Sequence, residues 1–247
     1  MVCGRAYDED MIRHIKSSER YHADHGWLST WHHFSFNDYV DPNNVSFGAL
    51  RVFNEDIVQP RSGFPRHSHR DMEIVTYVLA GELEHEDNQG NRGHILPGEV
   101  QVMSAGTGIA HAERNPSDAP LHLLQIWIVP RTRGLAPRWE QHRFSPDERR
   151  GTLLPVVTPA GAGATHASPS KLQIDQDATF FVASLAPGET VSHVSEPGRR
   201  AYVFAISGAL DLNDIALETG DQARITEEPT LTLTARTASE LILIDLP

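Results

Sequence analysis

The chain has 247 residues, of which 39% are hydrophobic, and its 33 acidic and 21 basic side chains give a net charge of −12. This length is enough for one large or two small domains, and the acidic balance argues against general nucleic-acid binding because phosphate backbones are repelled. The one cysteine, Cys3, excludes an internal disulfide and fits a reducing compartment. No apolar run approaches the roughly 18 residues of a membrane span and no signal pattern opens the chain, so we expect a cytoplasmic protein.

Four apolar segments of the first half have the pattern of strands. Residues 49–58 end at a proline-glycine turn, residues 73–81 form a β-rich run closed by glycine, and residues 97–103 alternate after a second such turn. Residues 121–129 are nearly all apolar, as in a strand buried on both faces. Residues 1–10 lack this periodicity, and we expect them to add nothing to a functional site.

Residues 131–170 differ in composition from the strand-like segments. Proline, glycine, alanine and arginine dominate them. Because this composition favours no regular element, we predict a long linker that packs only locally, through Trp139 and Phe144.

The segment after this linker repeats the first half in outline. Apolar runs recur in the same order at residues 180–185, 202–210, 219–225 and 241–247. Such internal similarity predicts two related units in tandem.

Two pairs of metal-binding residue types lie in the first unit. His67 and His69 form one pair, and His111 and Glu113 form the other. Residues i and i+2 of a strand point to the same face, so two such strands side by side would bring four ligands together. Three imidazoles and one carboxylate suit Fe(II), Mn, Co, Ni, Cu or Zn.

The second unit lacks counterparts of these ligands. Near the position of the first pair it has only His193, and residues 231–234 at the position of the second pair have no imidazole or carboxylate. A metal site needs about four convergent ligands. We therefore expect one metal per chain, and a second unit that is metal-free and packs against the first.

The spacing of these residues follows the two cupin motifs, with departures. The first motif, G-x5-H-x-H-x3,4-E-x6-G, is matched from His67 to Gly81 with one extra residue before the last glycine and no glycine six residues before His67. The second, G-x5-P-x-G-x2-H-x3-N, is matched from Gly98 to Asn115. Here Ser104 replaces the proline, and four residues instead of two precede His111.

Both departures resemble the pirin branch of the cupins. The sequence of residues 105–113, together with residues 26–36 and 71–74, is similar to bacterial pirin-like proteins that have quercetin 2,3-dioxygenase activity. The resemblance is strong over residues 11 to about 145 and holds in outline beyond. It implies an all-β fold of two tandem cupin (jelly-roll) β-barrels with short helices and a long linker: a metal-binding barrel at 11–130, the linker at 131–170 and a metal-free barrel at 171–247.

The resemblance also implies a ligand set and an activity. The metal ligands would be His67, His69, His111 and Glu113. The metal would be one divalent ion, with Fe(II) favoured and Ni, Zn, Mn, Co or Cu also fitting. The substrates would be a flavonol and O2, the heterocyclic ring would open with loss of carbon monoxide, and Glu113 would also accept the flavonol proton.

Two other functions remain open at this stage. Pirins are also described as metal-dependent proteins that bind regulatory partners, so the metal could act as a redox switch without catalysis. A sugar or small-acid isomerase on a cupin scaffold fits less well, since no acid-base pair stands apart from the predicted ligands. An apolar cavity leading to the metal would favour the dioxygenase, whereas a closed site beside an exposed patch would favour the partner-binding protein.

Several further residues have alternative roles. Glu73 shares strand parity with His67 and His69 and could replace Glu113 as ligand, although we favour a hydrogen-bonding role behind the ligands. The aromatic residues Trp27, Trp31, Phe34 and Phe36 are more typical of core packing than of a pocket wall. The remaining histidines are predicted to be surface or packing residues, with His32 and His33 the least certain.

Overall fold

Alternating or continuous apolar runs form β-strands along most of the part of the chain that the computed structural model describes, residues 11–161 and 172–247. In these ranges one 3-10 turn, Ser17–Glu19, is the only helical element, and no helix is long and apolar enough to cross a membrane. The expectation for the first ten residues, and part of the expected linker, lie outside the described residues.

The first half of the chain forms a seven-stranded and a four-stranded sheet. Its strands are β2 (Tyr21–Asp24), β3 (Leu28–His32), β4 (Leu50–Val58), β5 (Gly63–His69), β6 (Glu73–Ala80), β7 (Leu83–Asp87), β8 (Arg92–Ile95), β9 (Glu99–Ser104), β10 (Ile109–Arg114), β11 (Leu121–Ile128) and β12 (Arg138–Arg143). The large sheet has the order β12-β9-β6-β11-β4-β3-β2, and the small sheet has the order β5-β10-β7-β8.

The second half repeats this arrangement. Its strands are β13 (Leu154–Pro159), β14 (Leu172–Ile174), β15 (Thr179–Leu185), β16 (Thr190–Val194), β17 (Arg200–Ser207), β18 (Ala209–Leu212), β19 (Ile215–Glu218), β20 (Gln222–Thr226), β21 (Thr230–Ala235) and β22 (Ser239–Leu246), joined by β1 (Ile12–Ile15) from the start of the chain. The sheet orders are β1-β20-β17-β22-β15-β13-β14 and β16-β21-β18-β19. Each strand of one half has a counterpart at the same position in the other, which confirms the prediction of two tandem cupin barrels.

The described part of residues 131–170 contains more regular structure than the sequence predicts. Strand β12 pairs with β9 in the first barrel, and β13 pairs with β14 and β15 in the second. The prediction of little regular structure is wrong for these residues. Charged residues are tolerated in β12 because it is an edge strand, and Pro155 is accommodated at a bulge in the pairing of β13 with β15. The division of the chain at residues 130 and 171 stays a prediction.

Strand β1 belongs to the second barrel although it begins the described chain. It pairs antiparallel with β20, from Ile12 opposite Ile225 to Ile15 opposite Gln222. Strand β1 therefore links the start of the described chain to the second barrel.

The two large sheets pack face to face through one continuous apolar core. Phe53, Val75 and Ile126 of the first barrel and Phe180 and Tyr202 of the second are all buried in it. The second barrel thus packs against the first, as predicted.

The interiors of the two barrels differ. Seventeen buried apolar residues fill the second barrel as one cluster. The first barrel has two smaller clusters, one around Leu83 and Leu123 and one around Ile74 and Met103. Most of the buried polar side chains of the described residues belong to the first barrel, including Gln101, His111 and Glu113. The functional site is therefore expected in the first barrel.

Candidate metal centre

Three of the four predicted ligands converge at one end of the first barrel. His67, His69 and His111 present ring nitrogens that all lie within 4.8 Å of one another. The Nε2 atom of His111 is 3.0 Å from Nε2 of His69 and 3.0 Å from Nε2 of His67. We refer to these three residues as the histidine cluster.

The pairing of β5 with β10 brings the cluster together. His67 lies directly opposite His111, and His69 lies opposite Ile109. A bulge between His111 and Glu113 shifts the register by one residue. The pairing therefore brings the three imidazoles together, and their assignment as metal ligands stays a prediction.

The turn before β10 depends on a glycine. Gly106 has φ +47, and a Cβ atom there would come 2.1 Å from the carbonyl oxygen of Leu135. No other residue fits this conformation and this close approach to the backbone. The turn delivers His111 to the interior of the barrel, where it is buried.

The donor set of the cluster fits a divalent transition metal. Two nitrogen ligands at about 2.1 Å from an ion and at right angles to each other are about 3.0 Å apart, and this is the spacing of the Nε2 atoms. The Nδ1 atom of His67 is 2.8 Å from the carbonyl oxygen of Pro65. This contact requires a proton on Nδ1, which leaves the Nε2 lone pair of His67 available to a metal.

The charge state of the cluster also suits metal binding. Burial, together with the neighbouring rings, lowers the pKa of His69 to about 4 and that of His111 to about 3. Both rings are therefore neutral at pH 7, and a neutral imidazole is the metal-binding form.

A buried histidine that the sequence analysis assigned to packing orients His111. The Nδ1 atoms of His85 and His111 are 3.4 Å apart, and Nε2 of His85 is 3.2 Å from Oδ2 of Asp87. If His85 donates to Asp87, its Nδ1 accepts from His111, and Nε2 of His111 is left free for a metal. The signal in the sequence is the i,i+2 spacing of His85 and Asp87.

Glu113 lies beside the cluster and is held by two amides. Gln101 donates to Oε1 of Glu113 at 3.1 Å, and Gln125 donates to Oε2 at 3.0 Å. Its carboxylate lies within 4.8 Å of ring nitrogens of His85 and His111. The sequence patterns above do not identify either glutamine, although each is a polar residue with an apolar neighbour on both sides.

Glu73 does not lie near the cluster. Its carboxylate accepts a hydrogen bond of 2.5 Å from Ser104 and lies 4.0 Å from Arg138. Burial raises the pKa of this carboxyl group. The expected role behind the metal ligands is wrong, because β5 and β6 belong to different sheets and strand parity does not carry across the turn between them.

A cavity of about 690 Å³ reaches the cluster. His67, His69 and Glu113 line it together with Trp127 and Phe36. The Trp127 ring packs edge-on against both His69, at a centroid distance of 4.8 Å, and Phe36, at 5.3 Å. The volume lies within the range of about 300–1,000 Å³ for small-molecule sites.

Two neighbouring aromatic residues and two histidines, residues 32–34 and 36, divide between the cavity wall and the packing between the barrels. Phe36 and His32 line the cavity. Phe34 is buried between the barrels, where His33 also stacks on Phe53 and bonds to Tyr202. The prediction of packing is therefore confirmed for Phe34 and wrong for Phe36.

The position of the cluster in the second barrel has different chemistry. His193 on β16 lies opposite Leu231, and its Nε2 atom is 2.7 Å from Oδ2 of Asp245. Arg199 also donates to Asp245. Both groups of potential metal ligands found in the described residues lie in the first barrel.

Known proteins share this sequence and fold. Residues 14–128 match the family described as Pirin, and residues 163–246 match the one described as Quercetinase C-terminal cupin domain. The chain is 43% identical over 238 residues to quercetin 2,3-dioxygenase of Escherichia coli (strain K12), covering 96% of this chain and 99% of that protein. It is 44% identical over 223 residues to a pirin-like protein of Caulobacter vibrioides, covering 90% and 94%. The crystal structure of the bacterial pirin YhhW from Escherichia coli in complex with nickel(II) superimposes with a TM-score of 0.87 at 42% identity, covering 96% and 99%.

Proposed function

This chain belongs to the pirin family, and on that premise we propose that it is a metal-dependent dioxygenase that opens the heterocyclic ring of flavonols such as quercetin. One divalent transition metal would be held by the histidine cluster and Glu113. Fe(II) is the ion that we favour for the reaction, and the nickel complex of a relative supports a divalent ion at such a site.

The observation that carries the proposal is the cavity at the histidine cluster. It combines apolar walls from Leu28, Phe64 and Trp127 with the side chains of His67, His69 and Glu113. Flat aromatic molecules fit such walls, and the polar end would fix their orientation. When bound, the metal supplies the Lewis acidity that stabilises a deprotonated flavonol hydroxyl and the redox chemistry for its reaction with O2.

The side chains around the cluster would each have a distinct task. Glu113 would accept the proton of the 3-hydroxyl group and contribute a carboxylate ligand. Gln101 and Gln125 would hold that carboxylate in one orientation through their hydrogen bonds. His85 would keep His111 in the tautomer that binds metal through Nε2.

The same geometry gives less support to the partner-binding alternative. That function favours a metal under a closed lid beside an exposed patch. Here His67 is exposed, and the cavity opens beside it. Small molecules can therefore reach the cluster.

Oxygen uptake with flavonols of known substitution tests the proposal. Protein loaded in turn with Fe, Mn, Co, Ni and Cu is given flavonols with a free 3-hydroxyl and the same compounds with that oxygen methylated. Free flavonols should be consumed with one O2 each, and the methylated compounds should not react, because methylation removes both the anchor and the electron-rich anion.

Two controls define the result. Metal-free protein should be inactive, and His69→Ala should be inactive after the same loading. The dioxygenase proposal is refuted if no metal form consumes oxygen with a free flavonol. A protein partner captured only in one oxidation state of the metal would then support the regulatory alternative.

A further inference from the structure

A row of polar side chains crosses the interior of the first barrel. Register places His32 on β3 opposite Asn54 on β4, Asn54 opposite Gln125, Gln125 opposite Thr76, and Thr76 opposite Gln101. Barrel interiors of this size are usually apolar, as in the second barrel. We call these five residues the polar belt.

In one half of the polar belt, the side chains form hydrogen bonds within the protein. Thr76 donates to Gln125 at 2.9 Å, and Gln101 accepts from the indole of Trp139 at 2.8 Å. Both glutamine amides donate to Glu113. This half therefore has a structural explanation, which is to hold the Glu113 carboxylate.

The other half has buried polar atoms without partners. Nine buried side-chain atoms of the described residues have no hydrogen-bond partner, and five of them belong to residues that line the cavity at the histidine cluster. These five atoms are Thr30 Oγ1, His32 Nδ1, Asn54 Oδ1, Asp56 Oδ1 and Trp127 Nε1. This concentration in one cavity is the observation that points to a ligand, because a polar group buried without a hydrogen-bond partner is unfavourable.

Burial shows that these groups are part of a built site. His32 is 5% exposed, and Asn54 and Asp56 are each 4% exposed. Thr30 lies opposite Asp56 in the strand pairing, but neither Thr30 Oγ1 nor Asp56 Oδ1 forms a hydrogen bond of ordinary geometry. These residues line the cavity, and little of their surface is accessible to solvent.

The chemistry of the unpaired atoms selects the ligand class. The oxygens of Asn54 and Asp56 are acceptors, so they require O–H or N–H donors. Phenolic hydroxyl groups are neutral donors that can supply these hydrogen bonds. Apolar walls from Leu28, Val52 and Phe64 surround these atoms and fit an aromatic ring.

We propose that Asn54, Asp56 and His32 form a second subsite in this cavity that binds the hydroxyl groups of the substrate ring remote from the metal. The inference rests on the proposed function and identifies the substrate class as polyhydroxylated flavonols. The subsite begins at Asn54, next to Gln125, and reaches His32 one strand spacing, about 5 Å, further on. A flavonol anchored at the cluster by its 3-hydroxyl would place its second ring over this row.

Charge states support neutral recognition at this subsite. Burial raises the pKa of Asp56 to about 7, and burial together with His25 lowers the pKa of His32 to about 4. At neutral pH His32 is uncharged and Asp56 is only partly ionised, so the subsite does not require a cationic ligand.

The test compares two ligands on nickel-loaded protein under anaerobic conditions. Quercetin carries hydroxyl groups on both ring systems, whereas 3-hydroxyflavone carries only the anchoring hydroxyl. Dissociation constants are measured by calorimetry for the wild type, Asn54→Leu, Asp56→Leu and Asp56→Asn. Asp214→Asn, an exposed change in the second barrel, is the matched control.

The leucine variants should weaken quercetin binding roughly 10-fold or more, because a ligand hydroxyl loses its acceptor in a buried site. They should change 3-hydroxyflavone binding less than about 3-fold. Asp56→Asn should bind quercetin nearly as the wild type does, since its amide oxygen still accepts a hydrogen bond. Thermal unfolding checks that each variant is folded.

The remaining outcomes contradict the subsite in distinguishable ways. If the leucine variants bind quercetin as the wild type does, the unpaired atoms bind only water and the subsite is refuted while the dioxygenase proposal stands. Equal weakening of both ligands would assign the residues a general structural role and would also refute the subsite. If the wild type binds neither flavonol, both proposals are refuted.

Discussion

Replacing Asp56 by asparagine should remove a pH-dependent loss of stability in the metal-free protein. Burial raises the pKa of Asp56 to about 7 from an ordinary value of 3.8. A carboxyl group with a raised pKa in the folded state binds its proton more tightly there than in the unfolded chain. Its contribution to stability is therefore present at low pH and is lost as pH rises from about 4 to about 7.

The size of this loss follows from the shift. A difference of about 3 pKa units corresponds to about 4 kcal/mol once the group has ionised in both states. Between pH 5 and pH 8 the loss is about 3 kcal/mol, since part of it has already occurred at pH 5. For a chain of this length, this corresponds to a change in Tm of about 6–12 °C.

Thermal unfolding of the wild type and Asp56→Asn from pH 5 to pH 8 measures the effect. The difference in Tm between the two proteins should move in favour of Asp56→Asn as pH rises, because other titrating groups are common to both. Asp214→Asn should follow the wild type at every pH. If the Tm difference between Asp56→Asn and the wild type stays the same from pH 5 to pH 8, Asp56 is not the buried, unpaired acid described above.

Three further variants test the surroundings of the histidine cluster. His85→Phe should lower nickel affinity about 10–100-fold, as for other groups that orient metal ligands. His85→Gln should lower nickel affinity less, because its amide oxygen can accept a hydrogen bond from His111. Equal losses of affinity would show that His85 only packs against His111. Gly106→Ala should lower Tm and metal content in elemental analysis, because its Cβ would meet the carbonyl oxygen of Leu135, and unchanged values would contradict the turn geometry. Glu113→Gln should lower metal content and oxygen uptake more than Glu73→Gln, and the reverse ranking would restore the usual cupin carboxylate.

The strand pattern predicts most of the barrel architecture because burial alternates along strands such as β3 and β10 and is continuous along central strands such as β6. The i,i+2 rule places His67 with His69, and His111 with Glu113, because each pair lies within one strand. It fails for Glu73 because the chain changes sheets between β5 and β6, at Asp71 with φ 49. Local spacing contains no information on that change.

The groups that support the site depend on pairings distant in sequence. Gln101 and Gln125 come from two strands, and they meet at Glu113 only through the register of the large sheet. The charged residues of the edge strand β12 hide its strand pattern in the sequence. Its contribution to the site is shown by the structure, in which the indole of Trp139 donates a hydrogen bond to Gln101. Long-range pairing decides these contacts, and sequence composition does not.

The most direct test of the central claim is oxygen uptake with quercetin by two matched histidine variants after iron loading. His111→Ala removes the ring that contacts both His67 and His69 in the histidine cluster. His193→Gln changes the equivalent region of the second barrel and retains a hydrogen-bond partner for Asp245. We predict that His111→Ala retains no iron and consumes no oxygen, and that His193→Gln retains one iron per chain with uptake equal to the wild type. Oxygen uptake by His111→Ala at the wild-type rate, or its loss in a folded His193→Gln, would contradict the assignment of catalysis to the histidine cluster.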